Sequence, residues 1–132
     1  MNAITRLAQA IGYPDRVDDG ANPAVLRVDG HEVSVREDAL RLVLSAKLDF
    51  PEERLALAAG YAAGRMLREE ATLAWDPELK SAVLFQAVDS QASLGRLREA
   101  FGRFADSCDW WRDRAEEAGT SGPAFPEAVI RP

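Results

Sequence analysis

Few residues of this chain are of a type and spacing that could do chemistry. His31 is the single histidine and Cys108 the single cysteine. A histidine beside a carboxylate can move protons, and a thiolate can act as a nucleophile or ligate a metal. His31, however, follows an Asp29-Gly30 turn signal, so any acid/base relay through it has to be built on a strand end. Cys108 falls within an apolar helical stripe, where a buried, inert thiol is the plainer reading. The paired carboxylates Asp18-Asp19 and Glu69-Glu70 are adjacent in sequence, but nothing ties either pair to a convergent pocket. No Cys/His set has zinc spacing, and no glycine-rich phosphate loop is present. The expectation is therefore a non-enzyme with no metal and no cofactor. The enzymatic alternative is a small acid/base catalyst using His31 with a nearby carboxylate.

Composition narrows the partners. With 132 residues and 47% hydrophobic content, the chain can bury one substantial core. A net charge of −6 disfavours nucleic acid or an anionic membrane surface as the main partner. One cysteine excludes an intrachain disulfide framework and fits a reducing compartment. No apolar run approaches membrane-spanning length, so a soluble, intracellular protein without membrane insertion is expected.

The elements that would position these residues follow from hydrophobic period. Residues 2–11 read as a short amphipathic helix with Ile4, Leu7, Ala8 and Ile11 on one face, stopped by Gly12 and Pro14. Such a face either packs on the core or lines a groove. After a turn-rich segment to Asn22, Ala24–Val28 and His31–Arg36 flank Asp29-Gly30, a strong two-residue hairpin signal. The implied register sets Leu26 against Val33, Ala24 against Val35, and Arg27 against Glu32, so apolar residues meet on one face and opposite charges on the other. A polar turn at Glu37-Asp38 leads to a third strand, Leu40 to Phe50, with Leu40, Leu42, Leu44, Ala46, Leu48 and Phe50 alternating.

Pro51, Glu52 and Glu53 suit the first turn of a second helix that runs to about Glu69. It carries two apolar faces: Leu55, Ala59, Ala62 and Met66, and Leu57, Gly60, Tyr61 and Gly64. Glycines inside a helix cost about 1 kcal/mol each against alanine, which close backbone approach would offset, and a second copy of the chain could supply it. A second hairpin spans residues 71–88. Its second strand, Ala82–Val88, is apolar on both faces and should sit inside the sheet. Ser90 is the expected cap of a last helix, Gln91 to Ala118, ending at Gly119. Its stripe is Leu94, Leu97, Phe101, Phe104, Cys108, Trp111 and Ala115. Residues 1–118 thus form one α+β domain of three helices and an antiparallel sheet of about five strands. Residues 119–132 form a loosely ordered tail. An outer strand of the first hairpin, if at the sheet edge, would offer unpaired backbone groups to an extended partner.

The order α-β-β-β-α-β-β-α resembles the class I type III secretion chaperones, the Tir-chaperone family. The resemblance rests on Ala24-Val25-Leu26-Arg27-Val28-Asp29-Gly30, on Leu55-Ala56-Leu57-Ala58-Ala59-Gly60, and on Ala71-Thr72-Leu73-Ala74-Trp75-Asp76-Pro77-Glu78 with Val83-Leu84. It continues through Leu94–Trp111. The chain departs from the pattern at Gly60, where the family often has Asn, and at Arg68-Glu69-Glu70, where glycines are usual. The resemblance implies a cytoplasmic bacterial homodimer that holds the N-terminal segment of a secreted effector extended, soluble and secretion-competent. Secretion-apparatus components are further implied partners. It implies effector contacts at Ile4, Leu7, Ala8, Ile11, Val25, Leu26 and Val28, and dimer contacts at Leu57, Gly60, Tyr61, Gly64, Leu73 and Phe85. The alternative outside secretion is a related small α+β protein-binding domain.

Overall fold

The computed structural model describes residues 2–12, 22–28, 30–49, 54, 60, 64 and 70–121, with side chains as far as 114. The turn-rich loop after the first helix, most of the expected 51–69 helix, Phe50 and the tail beyond 121 lie outside the described residues. In chain order the elements are helix α1 (Ala3–Ala10), strands β1 (Ala24–Val28), β2 (His31–Asp38), β3 (Arg41–Leu48), β4 (Thr72–Asp76) and β5 (Ser81–Asp89), and helix α2 (Leu94–Ser121).

Helix α1 starts where Asn2 Oδ1 accepts the Thr5 amide at 2.8 Å, a side-chain cap for one of the free N–H groups of the first turn. It ends at Gly12, whose φ of +89° suits a residue without Cβ. Ala3, Ile4, Leu7 and Ala8 face the core and are buried.

The five strands form one antiparallel sheet in the order β1-β2-β3-β5-β4. The first hairpin has the expected register, with Ala24 opposite Val35, Leu26 opposite Val33 and Arg27 opposite Glu32. Asp29 is outside the described residues, and Gly30 holds φ +81°, as the second position of such a turn needs. Strand β5 sits between β3 and β4, inside the sheet as its apolar pattern requires. Ala82, Val83, Leu84 and Val88 are buried, but Phe85 is only half-buried and Ala87 exposed, so its second face is covered along part of its length. The inner face of the sheet (Leu26, Val33, Val35, Leu42, Leu44, Leu48 and Leu84) joins the α1 residues and Leu97, Phe101, Phe104, Cys108 and Trp111 of α2 in one core.

Three boundaries differ from the sequence reading. Glu37 and Asp38 still belong to β2, paired with Leu42 and Arg41, and the turn falls at Ala39-Leu40. Leu40 therefore leaves the buried row and is 68% exposed, while its carbonyl accepts the Ser90 amide at 2.9 Å. Helix α2 begins at Leu94, three residues later than expected, because Ser93 and not Ser90 caps it: Ser93 Oγ accepts the Arg96 amide at 3.2 Å. Leu94 is consequently exposed rather than part of the stripe. The helix continues past Gly119 to Ser121.

A candidate protein-binding edge

Among the described strands β1 pairs only with β2 and is one edge of the sheet. In a two-residue hairpin the closing pair exchanges both backbone hydrogen bonds and pairs alternate from there. Val28–His31, Leu26–Val33 and Ala24–Val35 are then the bonded pairs. The N–H and C=O groups of Val25 and Arg27 point away from β2, toward the outer edge, where no described strand pairs with them. The side chains of these two residues lie on the outer face: Val25 is 52% exposed, and Arg27 pairs with Glu32 across the strands at 3.2 Å. An exposed ion pair of this kind contributes little to stability, about 0–1 kcal/mol. Among the described residues the edge is thus a short row of backbone groups without a strand partner, beside one apolar and one cationic side chain.

The tip of the hairpin is held from α2. His31 is 3% exposed, and its Nε2 lies 2.7 Å from Asp109 Oδ1. One helical turn on, Arg112 Nη1 donates to the Gly30 carbonyl at 3.0 Å. His31 Nδ1 is buried and meets no hydrogen-bond partner. The imidazole therefore lies beneath the hairpin tip rather than exposed at it. Cys108, next to Asp109 on α2, is fully buried, and that burial pushes its thiol pKa up to about 12, with Arg112 opposing and Asp109 adding to the rise. A thiol so held stays protonated and is a poor nucleophile. Among the described residues no three His, Cys, Asp or Glu side chains converge to hold a metal.

Of the residues assigned to effector contact, Ile4, Leu7, Ala8 and Leu26 are inside the core and present no surface in this structure. Ile11 and Val28 are half-buried at its margin, and Val25 is the one that is openly accessible. Of the residues assigned to the dimer, Leu57 and Tyr61 lie outside the described residues. Gly60 and Gly64 have helical backbone and are exposed, and no atom lies within 4 Å of where a Cβ would stand on either. Among the described residues, none makes the close approach expected of these glycines. Leu73 is half-buried on the inner face of β4, opposite Leu84, and Phe85 is half-buried on the outer face of β5, opposite both Ser45 and Thr72.

Sequence reasoning did not find Asp109 and Arg112, which lie off the apolar stripe of the last helix. It also missed Arg6, whose two guanidinium nitrogens donate to the carbonyls of Ser90 at 3.0 Å and Ala92 at 2.7 Å. That fork ties α1 to the loop before α2, more than eighty residues away in sequence. No local signal marks either contact, since each depends on the packing of distant elements.

No family model and no curated protein sequence matches the chain. Solved structures do. The HopA1-SchA chaperone–effector complex contains a chain with a TM-score of 0.67 at 17% identity, covering 84% of this chain and 91% of that one. The Yersinia pestis type III secretion chaperone SycH, in complex with a fragment of YscM2, gives 0.63 at 12% identity, covering 83% and 96%. YbjN from E. coli, a candidate transcription regulator, gives 0.54 at 14% identity, covering 89% and 92%. At these identities the likeness establishes the fold. The chain has the α+β fold of the type III secretion chaperones.

Proposed function

We propose that this protein is a chaperone of the type III secretion kind, which binds an extended segment of a secreted effector and keeps it soluble and secretion-competent. The observation that carries the reading is the open edge of β1 on a fold shared with a chaperone–effector complex and with SycH bound to a YscM2 fragment. A segment added to β1 would satisfy the outward backbone groups of Val25 and Arg27, and its alternate side chains would lie beside Val25, Val28 and Ile11. The buried residues Ile4, Leu7, Ala8 and Leu26 would support this edge from below. The site would act in the bacterial cytoplasm without catalysis or a cofactor. Secretion-apparatus components would be further partners.

The functional unit in this reading is a homodimer. The exposed Gly60 and Gly64, with Leu57, Tyr61, Leu73 and Phe85, would meet their counterparts in a second copy. A close helix–helix contact between copies would offset the helix-propensity cost of the two glycines. The likeness to YbjN favours a second reading, a protein-binding domain of the same fold with no part in secretion. Co-expression with the products of neighbouring open reading frames, followed by pull-down, separates the two. Stoichiometric capture of a neighbour through its N-terminal segment supports the chaperone. Neighbours that all fail to bind, none of them secreted, would sink it.

A further inference from the structure

The hairpin that carries the open edge has only one lateral neighbour beyond itself: β2 pairs with β3, and only over Ser34–Asp38. Among the described strands none besides β1 and β2 is paired with the tip half of the hairpin, from Leu26 to Val33. Two contacts from one face of α2 fall on this half: Asp109 on His31 and Arg112 on the Gly30 carbonyl. They differ in kind. Asp109 meets a buried imidazole side chain, and Arg112 meets the main chain at the turn. Asp109 and Arg112 stand one turn apart, so a single helix turn grips both the side chain and the backbone of the tip. The Arg112 contact is a charge-assisted hydrogen bond, stronger than a neutral one, and the Asp109 carboxylate stands at ion-pair distance from the imidazole.

We infer that Asp109 and Arg112 are positioning residues, a two-point latch that fixes the tip of the β1–β2 hairpin against α2 and so holds the edge of β1 in one orientation. An edge held still loses less conformational freedom when a strand adds to it, which favours binding through pre-organisation. The latch itself follows from the contacts; its use in presenting β1 rests on the strand-addition reading above. No other role in binding is assigned to either side chain.

Amide hydrogen exchange on the isolated protein tests the latch without any partner, so its failure is distinguishable from failure of the proposed function. Asp109→Ala and Arg112→Ala should each speed exchange about tenfold at the Leu26, Val28, His31 and Val33 amides, with β3 and β5 unchanged. Asp109→Asn, which keeps an acceptor for the imidazole N–H, should restore much of the protection, and Arg112→Lys should restore less because it lacks the fork. Unchanged exchange at the tip overturns the inference. So does an equal acceleration across all five strands, since that would mean the residues support the whole domain and not the tip. If Asp109→Ala does not fold, Arg112→Ala decides by the same criterion, because the Arg112 side chain is only half-buried and its removal leaves no buried charge behind.

Discussion

At the scale of single residues, burial decides what the chemistry-bearing side chains can do. Cys108 is the clearest case. Its proton is held to about pH 12 in the folded chain, against an ordinary thiol value of 9.0. Between those values the unfolded chain has lost the proton and the folded chain keeps it. Folding stability from this group is therefore complete below about pH 9 and falls as pH rises toward 12, by up to about 1.4 kcal/mol per pH unit. Urea midpoints of the protein and of Cys108→Ala, compared at pH 8, 9.5 and 10.5, should show the wild type losing ground to the variant only at the higher two. A constant gap would contradict the assignment. Arg6 makes a second residue-level prediction. Removing its fork leaves the Ser90 and Ala92 carbonyls without that donor, so Arg6→Ala should cost about 1.5–3 kcal/mol in chemical unfolding, the range for a bond to a charged group. Neither value was legible in the sequence beforehand: the burial of Cys108 was, through its place in the stripe, but the partners of Arg6 depend on where α1 lands.

Among the elements, those whose information is local were the readable ones. The first hairpin carried its own register in two residues of turn and five of strand, and the structure reproduces it pair by pair. The β2–β3 turn was misplaced because alternation continues through Leu40 and a positive φ at Ala39 (+55°) leaves no mark in the residue type. The start of α2 was set three residues too early, at Ser90, because capping depends on the side-chain geometry that Ser93 adopts toward the Arg96 amide. The apolar face of α1 could by its period either pack on the core or line a groove, and Leu7 is fully buried in the core. A face that packs and a face that binds have the same period, and sequence cannot separate them. Leu7→Ala should accordingly cost about 2–5 kcal/mol of stability, measured by thermal or denaturant unfolding. The edge of β1 calls for a different probe. Val25→Pro removes a backbone donor that faces away from β2, a place where a sheet tolerates proline. We expect near-normal folding by circular dichroism and at least a tenfold loss of affinity for the captured neighbour. Undiminished binding would rule out strand addition at this edge.

For the molecule as a whole, sheet order was the part least available in advance. The pairing of β3 with β5 joins Arg41–Leu48 to residues 34 to 48 positions later, and β4 then lies outside β5. Nothing in the composition of β3 names that neighbour; what the sequence supplied was the two-sided apolarity of β5, which required a central place. The dimer belongs to this scale also. Sedimentation equilibrium at micromolar concentration should give twice the mass of 14.4 kDa, and Gly60→Glu combined with Gly64→Glu should shift it to the monomer, because two carboxylates would then face a close contact. A monomer in the wild type would remove the dimer from the proposal.

The main chain leaves the sheet at a defined point before β1. At Asn22 the side chain, not the backbone, continues the pairing: its Oδ1 accepts the Glu37 amide and its Nδ2 donates to the Glu37 carbonyl, each at 3.1 Å. With that end closed by a side-chain amide and the other by the turn, the usable edge is the five residues of β1, about 17 Å of strand. In the strand-addition reading such an edge would work as a ruler, taking a peptide of about five residues in extended form. A long client segment would then have to be held by several short contacts in series, each weak alone, and would remain free to peel off one rung at a time.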